Sequence, residues 1–305
     1  ALLFCACLRS RLIKYGAMND SHNAISADIP DLPEGPWPLL GEGVWGAVHD
    51  LGDGTVLKLV RRNGGLGTGE SKHYREVTAL GLLQQIDGVR LSRLVSAGRF
   101  SNPYGFSGPP LAGWLRIEKL DGRPADEGGI YALRGEERER LGEEIGAALA
   151  HFHRAGEAKA EDAAKLGSPA LRSISEAMTR INDPALRARL DRLKEMIAAE
   201  DAPRVFLHGD VNFSNILAAR GQRPALIDFA EAGAGFAEED FRHFDNPGPL
   251  RDAIFRSYAA VSGHPIDEMR FRMGIAVNAA VSLALGSNAG HPREGMRRVS
   301  FLDEA

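Results

Sequence analysis

Nothing in the chain limits its possible architecture more than the stretch Leu207-His208-Gly209-Asp210-Val211-Asn212-Phe213-Ser214-Asn215, with Ile227-Asp228-Phe229 after it. Two short apolar runs, Val205–Leu207 and Ala225–Ile227, read as strands, and each ends in a polar constellation. Asp210 and Asn215 are five apart across a loop, and Asp228 follows 13 residues later at a strand end. Three unrelated loop polars are the ordinary explanation, because Asp and Asn are common in loops. Their order and types suit a more specific task. Phosphoryl transfer needs a carboxylate that orients the attacking hydroxyl and oxygen ligands for Mg2+, and Asp210, Asn215 and Asp228 are the right types in the right order.

Upstream, Gly41-Glu42-Gly43-Val44-Trp45-Gly46 fits G-x-G-x-x-G. A dinucleotide turn would need a helix next. Here AVHDLGDGTVLKLV follows, which reads as strand, turn, strand, with a hairpin signal at Gly52-Asp53-Gly54. That context favours a glycine-rich flap whose backbone N–H groups approach phosphate oxygens, over a Gly-rich hairpin without ligand. Lys58 lies in the apolar strand Val56–Val60, on the face opposite Leu57 and Leu59. It can reach phosphate as a point charge or simply face solvent. Glu76, mid-helix on the next element, is the favoured partner for its ammonium, with Glu70 the competitor.

The rest of the chain agrees with two unlike halves. Strand-like segments run from residue 39 to about 120, interrupted by one helix near 70–85 whose Val77, Leu80 and Leu83 recur at near-helical spacing. Beyond Asp121-Gly122-Arg123-Pro124, helices are expected at 136–155, 184–199, 249–262 and 266–286. Residues 1–38 read as an irregular lead-in, 39–120 as a β-rich N-lobe that binds nucleotide, and 121–305 as a helical C-lobe with the loop of Asp210 and the acceptor site. Met18 is a candidate initiator, with residues 1–17 an upstream translated segment. The two cysteines, Cys5 and Cys7, exclude a disulfide-stapled body and make a poor zinc site. A net charge of -4 argues against non-specific nucleic-acid binding, and no apolar run reaches the roughly 18 residues of a membrane span. The expected setting is the cytoplasm, without nucleic-acid or membrane partners.

H-G-D-x-x-x-x-N followed by I-D-F resembles the signature of aminoglycoside phosphotransferase and choline kinase-type enzymes, over roughly Leu39 to Asp245. The resemblance implies an α+β, protein-kinase-like two-lobed fold with a five-stranded N-lobe. It implies Asp210 as the catalytic aspartate, Asn215 and Asp228 as magnesium ligands, and Lys58 with Glu76 as the nucleotide-positioning pair. Gly41, Gly43 and Gly46 would cover the phosphates of ATP, or of GTP. Ile117-Glu118-Lys119-Leu120-Asp121-Gly122 is similar to the family's hinge, where the Glu118 carbonyl and the Leu120 N–H would meet adenine. His153 and His208 are read as structural. The implied reaction moves the γ-phosphate to a hydroxyl of a small molecule; a protein kinase and a regulatory nucleotide-binding pseudokinase are the alternatives. Gly209 and Ala230 stand where protein kinases of the eukaryotic type have Arg and Gly. Asp240 follows Asp228 by only 12 residues, so a phosphorylation-gated activation segment is not expected. The acidic run Glu231, Glu238, Glu239, Asp240 and Asp245 either offers carboxylates to a polycationic acceptor or forms a solvated face. Asp240 stands near an aspartate that supports the active site in relatives. The tail beyond, with His264, His291, Arg293, Arg297 and Arg298, is mixed in charge.

Overall fold

At Gly52-Asp53-Gly54 the chain turns back on itself, with φ of 77° and 85° at the two glycines, a left-handed backbone that glycine adopts without a Cβ penalty. The turn joins β2 (Gly46–Asp50) to β3 (Thr55–Arg61). With β1 (Leu39–Gly43), β5 (Leu94–Gly98) and β6 (Leu111–Glu118) they form an antiparallel five-stranded sheet of order β1-β2-β3-β6-β5. The computed structural model describes residues 28–84, 86, 88–104, 108–126 and 133–286. Cys5, Cys7, Met18 and the tail residues His291, Arg293, Arg297 and Arg298 lie outside the described residues.

The period-2 alternation of β3 sorts its side chains between two cores. Leu57 and Leu59 pack outward with Trp37, Phe100 and Trp114. Val56 and Val60 face inward, against Ala79, Leu80 and Leu83 of α1 (Gly69–Leu83). Lys58 sits between them, so the strand aims its ammonium at the interior of the molecule. Thr68 caps α1, its side chain accepting from the Ser71 N–H.

The second half is built on α2 (Glu136–Gly156), α3 (Ala160–Ala164), α4 (Pro169–Met178), α5 (Pro184–Ala199), α6 (Pro249–Ser262) and α7 (Glu268–Ala284). Asp183 caps α5 by accepting from Ala185 and Leu186 N–H groups, with Pro184 at the first helical position. The α5 stripe Leu186, Leu190, Leu193 and Ile197 buries itself against Ile174 of α4 and Met273 and Val277 of α7. Ile145, Leu149 and Phe152 of α2 join the other core, which runs continuously from the five-stranded sheet into the helical half.

Two small sheets carry the polar loops. β8 (Val205–Leu207) pairs with β11 (Gly233–Gly235). β9 (Ile216–Ala218) lies between β7 (Arg123–Pro124) and β10 (Ala225–Leu226), and β10 pairs on its other edge with β4 (Arg90–Leu91). The β4–β10 pairing ties the N-terminal half to the strand that leads into Asp228. No described helix is long and apolar enough to cross a membrane.

Candidate active site

Lys58 on β3, Glu76 on α1 and Asp228 after β10 meet in direct contact. The Lys58 Nζ lies 2.8 and 2.7 Å from the two Glu76 carboxylate oxygens and 2.9 Å from Asp228 Oδ1. Burial opposes the charge on Lys58, but the Asp228 and Glu76 carboxylates outweigh it and hold its pKa above the ordinary lysine value. Glu70 is not part of this cluster; it pairs with Arg62 at 2.7 Å. Asp228 has a φ of 67°, a left-handed conformation that costs a non-glycine residue energy and is found where a side chain must be aimed.

The loop after β8 is held by its backbone. His208 and Gly209 donate their N–H groups to the two oxygens of Asp240, at 2.9 and 2.7 Å. Asp240 lies within 3.1 Å of the His153 Nε2, and the Tyr258 hydroxyl lies 2.9 Å from the other ring nitrogen. His208 turns its Nε2 to the Ile227 carbonyl at 2.9 Å, bracing this loop against the strand before Asp228. Gly209 has a φ of 82°, and a Cβ there would sit 2.1 Å from the Glu231 carbonyl oxygen. Only glycine fits this turn, which projects Asp210 into the cleft.

The Asp210 carboxylate is gripped on both oxygens. His243 Nε2 is 2.9 Å from Oδ1, and the Asn215 amide donates to Oδ2 at 3.1 Å. Burial works against the charge on Asp210. The His243 hydrogen bond and the nearby Arg242 guanidinium, 3.9 Å away, outweigh that and hold the carboxyl well below the usual range. The Asn212 side chain caps the turn Phe213–Asn215 by accepting from the Ser214 and Asn215 N–H groups, which sets the Asn215 side chain toward Asp210.

Oxygen donors for Mg2+ are present. The hydrogen bonds of this cluster engage the Asn215 Nδ2 and the Asp228 Oδ1, and they leave Asn215 Oδ1 and Asp228 Oδ2 for a hard cation. One carboxylate and one amide oxygen, completed by water and phosphate oxygens, is how Mg2+ is usually held. Among the described residues no cluster of three or more His, Cys, Asp or Glu forms a metal site by itself. At the other edge of the cleft, Gly41 and Gly43 have open space beside their Cα atoms, whereas a Cβ on Gly46 would lie 2.2 Å from the Leu59 carbonyl oxygen. Gly46 is therefore required by β2–β3 packing. Trp45 packs beside Gly64 and Gly65, with the Lys72 Nζ 5.2 Å from its ring centre. Glu118 ends β6, exposed, and Leu120 follows it half-buried.

A family model described as the phosphotransferase enzyme family matches residues 54–269, more than two thirds of the chain. The chain belongs to the phosphotransferase enzyme family. Solved structures share its fold at low identity. The GDP complex of wild-type aminoglycoside 2'-phosphotransferase-IIIa is 18% identical, with a TM-score of 0.63 over 93% of this chain and 97% of that one. The streptomycin–ATP ternary complex of APH(2")-IIa is 14% identical, with a TM-score of 0.55 over 87% and 91%. The apoenzyme of macrolide 2'-phosphotransferase MphH from Brachybacterium faecium is 19% identical, with a TM-score of 0.54 over 92% and 98%. No curated protein matches the sequence.

In this phosphotransferase the middle of the acidic run, Glu238, Glu239 and Asp240, is not a solvated face, while Glu231 and Asp245 are half-buried. Glu238, Glu239 and Asp240 are 5%, 1% and 0% exposed. Glu238 is paired with Arg270 at 3.1 Å and accepts the Asp267 N–H, Glu239 accepts the Ala170 N–H, and Asp240 braces the loop of Asp210. Glu231 faces Lys72, Arg75 and Arg172. The count of carboxylates in a row could not show this, because their partners come from α1, α2, α4 and α7. Sequence reasoning also passed over Arg242 and His243. The signal was their place two and three residues after Asp240, which the strand and loop pairing brings to Asp210.

Proposed function

We propose that the chain transfers the γ-phosphate of ATP or GTP to a hydroxyl of a small molecule. The observation that carries this reading is the contact of Lys58 with both Glu76 and Asp228, beside an Asp210 held on both carboxylate oxygens. Lys58, kept cationic by its two carboxylates, is suited to anchor donor phosphates, with Glu76 fixing its direction. Gly41 and Gly43 leave open space beside their Cα atoms at the flap, and the Glu118 carbonyl and Leu120 N–H would be the backbone groups offered to adenine. Bound Mg2+ would neutralise charge on the transferring phosphoryl group, and Asn215 and Asp228 would hold it. Asp210, kept ionised, accepts the hydrogen bond of the incoming hydroxyl and orients it for in-line attack. The solved neighbours bound to GDP, ADP or ATP support a nucleotide donor, and those bound to kanamycin, gentamicin or streptomycin support a small acceptor. Glu238 and Asp240 are engaged in buried contacts with Arg270 and His153, and Glu239 is buried on the Ala170 N–H, so of the acidic run Glu231, paired with Lys72, and Asp245, two residues after His243, are the carboxylates left half-buried.

The test is ADP or GDP release with Mg2+ over a panel of aminoglycosides, macrolides and hydroxylated metabolites. Release should depend on one acceptor class and stop with EDTA. Asp210→Asn should lower kcat by about 10²–10⁴ and leave nucleotide affinity nearly unchanged. Nucleotide binding without turnover on any acceptor would favour a regulatory module, and phosphate appearing on a polypeptide a protein kinase.

A further inference from the structure

One face of α1 carries more positive charge than a buried surface tolerates unaided. Lys72 and Arg75 are 3% and 6% exposed, and Glu76 beside them is 2% exposed. Burial pulls Lys72 down to about 8, and the neighbouring Arg75 charge adds to that. Burial lowers Arg75 as well. A third cation, Arg172, reaches in from α4 and is held down by burial and by Arg75.

Glu231 is where these charges end. Its Oε1 contacts the Lys72 ammonium, and its Oε2 lies 3.6 Å from the Arg75 guanidinium and 3.9 Å from that of Arg172. The backbone around it is engaged by the same groups. Arg75 Nε donates to the Ala230 carbonyl at 2.8 Å, and Arg172 donates to the Glu231 and Ala232 carbonyls at 2.7 and 3.1 Å. Glu176 faces the same three cations from α4 as a more distant countercharge. Lys72 also lies against the ring of Trp45 at the tip of the β1–β2 hairpin.

The positions matter as much as the charges. Lys72 and Glu76 are four residues apart, one above the other on the helix. Glu231 stands three residues after Asp228. The helix and the segment after β10 are therefore joined at two neighbouring points, once through Glu76–Lys58–Asp228 and once through Lys72 and Arg75 to Glu231.

We propose that Glu231 is a positioning residue: its carboxylate seats α1 on the segment after Asp228, and through Glu76 it keeps Lys58 directed at the nucleotide phosphates. Removing the charge would leave Lys72, Arg75 and Arg172 facing one another with Glu176 as their shared countercharge, and a buried charge whose contacting partner is lost is unfavourable. The helix would withdraw, taking Glu76 from Lys58. The seat is made by a carboxylate encoded in the chain, so it needs no modification to form. This inference rests on the nucleotide-binding reading of Lys58.

The experiment is a double-mutant cycle read as ATP affinity in Mg2+, with thermal unfolding recorded for every variant. Glu231→Gln and Glu76→Gln should each weaken ATP binding about tenfold, and the double variant scarcely more than Glu76→Gln alone, because both act through one pair. Glu231→Asp, which keeps the charge, should recover much of the affinity. Additive losses of about a hundredfold in the double variant, or wild-type affinity in folded Glu231→Gln, would overturn the proposal. If Glu231→Gln does not fold, Lys72→Met/Glu231→Gln, which removes a cation together with the carboxylate, takes its place. Weakened binding then supports the seat, and wild-type binding refutes it. Failure of the unaltered protein to bind ATP would instead fall on the nucleotide reading.

Discussion

Asp240 touches no solvent, and its two oxygens take the N–H groups of His208 and Gly209 while His153 stands against one of them. Burial opposes its charge, but the His153 hydrogen bond and the surrounding donors keep its pKa below the ordinary aspartate value. A carboxyl lowered on folding stabilises the folded state at pH above its unfolded value of about 4, and that contribution is lost as pH falls through the folded value. Asp240→Asn should therefore cost about 3–5 kcal/mol at neutral pH, the range for breaking a buried pair. The gap in Tm between the two proteins should close below about pH 4. A gap that stays constant from pH 7 to 3 would remove the charge from this account. At this scale much was legible: the spacing of Asp210, Asn215 and Asp228, and the choice of Glu76 over Glu70, follow from position on strand and helix. Glu238 and Glu239 were not legible as buried groups, nor Glu231 as a paired one, because a carboxylate's surroundings are decided by groups such as Lys72, Arg270 and the Ala170 N–H that lie far away in sequence.

Among the elements, the β1–β2 hairpin separates two uses of glycine. Gly46 must lack a side chain because β3 passes directly over it, and Gly46→Ala should destabilise the protein by about 1–3 kcal/mol through overpacking. Gly43 has no atom within 4 Å of a built Cβ. Gly43→Ala should leave urea unfolding unchanged and raise the nucleotide KM. Equal urea midpoints for the two variants would show that packing does not distinguish them. The same contrast explains which elements the sequence announced. Helix α5 spans its expected 184–199 because Asp183 and Pro184 mark its start and four large apolar residues mark its face. Helix α4 was missed although Ser168 and Pro169 mark its start in the same way; its buried face, Pro169, Ala170, Ser173, Ile174, Ala177 and Met178, is mostly small and gives a weaker apolar stripe. The strands β4 and β7 are two residues long and exist only as pairings with β10 and β9, which no local pattern encodes.

For the molecule as a whole, Lys58 is a tie between halves as well as a candidate phosphate anchor, because β3, α1 and the segment after β10 all end on it. A ligand that binds only the folded state adds stability by mass action, about 2.7 kcal/mol at a hundredfold excess over its Kd. ATP with Mg2+ should raise the Tm of the unaltered protein accordingly. In Lys58→Met the starting Tm should be lower and the shift should nearly vanish at the same ATP concentration. A shift of undiminished size would mean that the nucleotide binds elsewhere. The double attachment of α1 to the segment beyond Asp228 also bears on how this protein could be inhibited. A compound designed to lodge behind a helix swung away from the cleft would have to strip Lys72 and Arg75 from Glu231 and Glu76 from Lys58 at once, with no compensating contact for the charges it exposes. Chemistry aimed at this protein should instead accept the seated helix as a wall and compete for the space beneath the exposed tip of the β1–β2 hairpin.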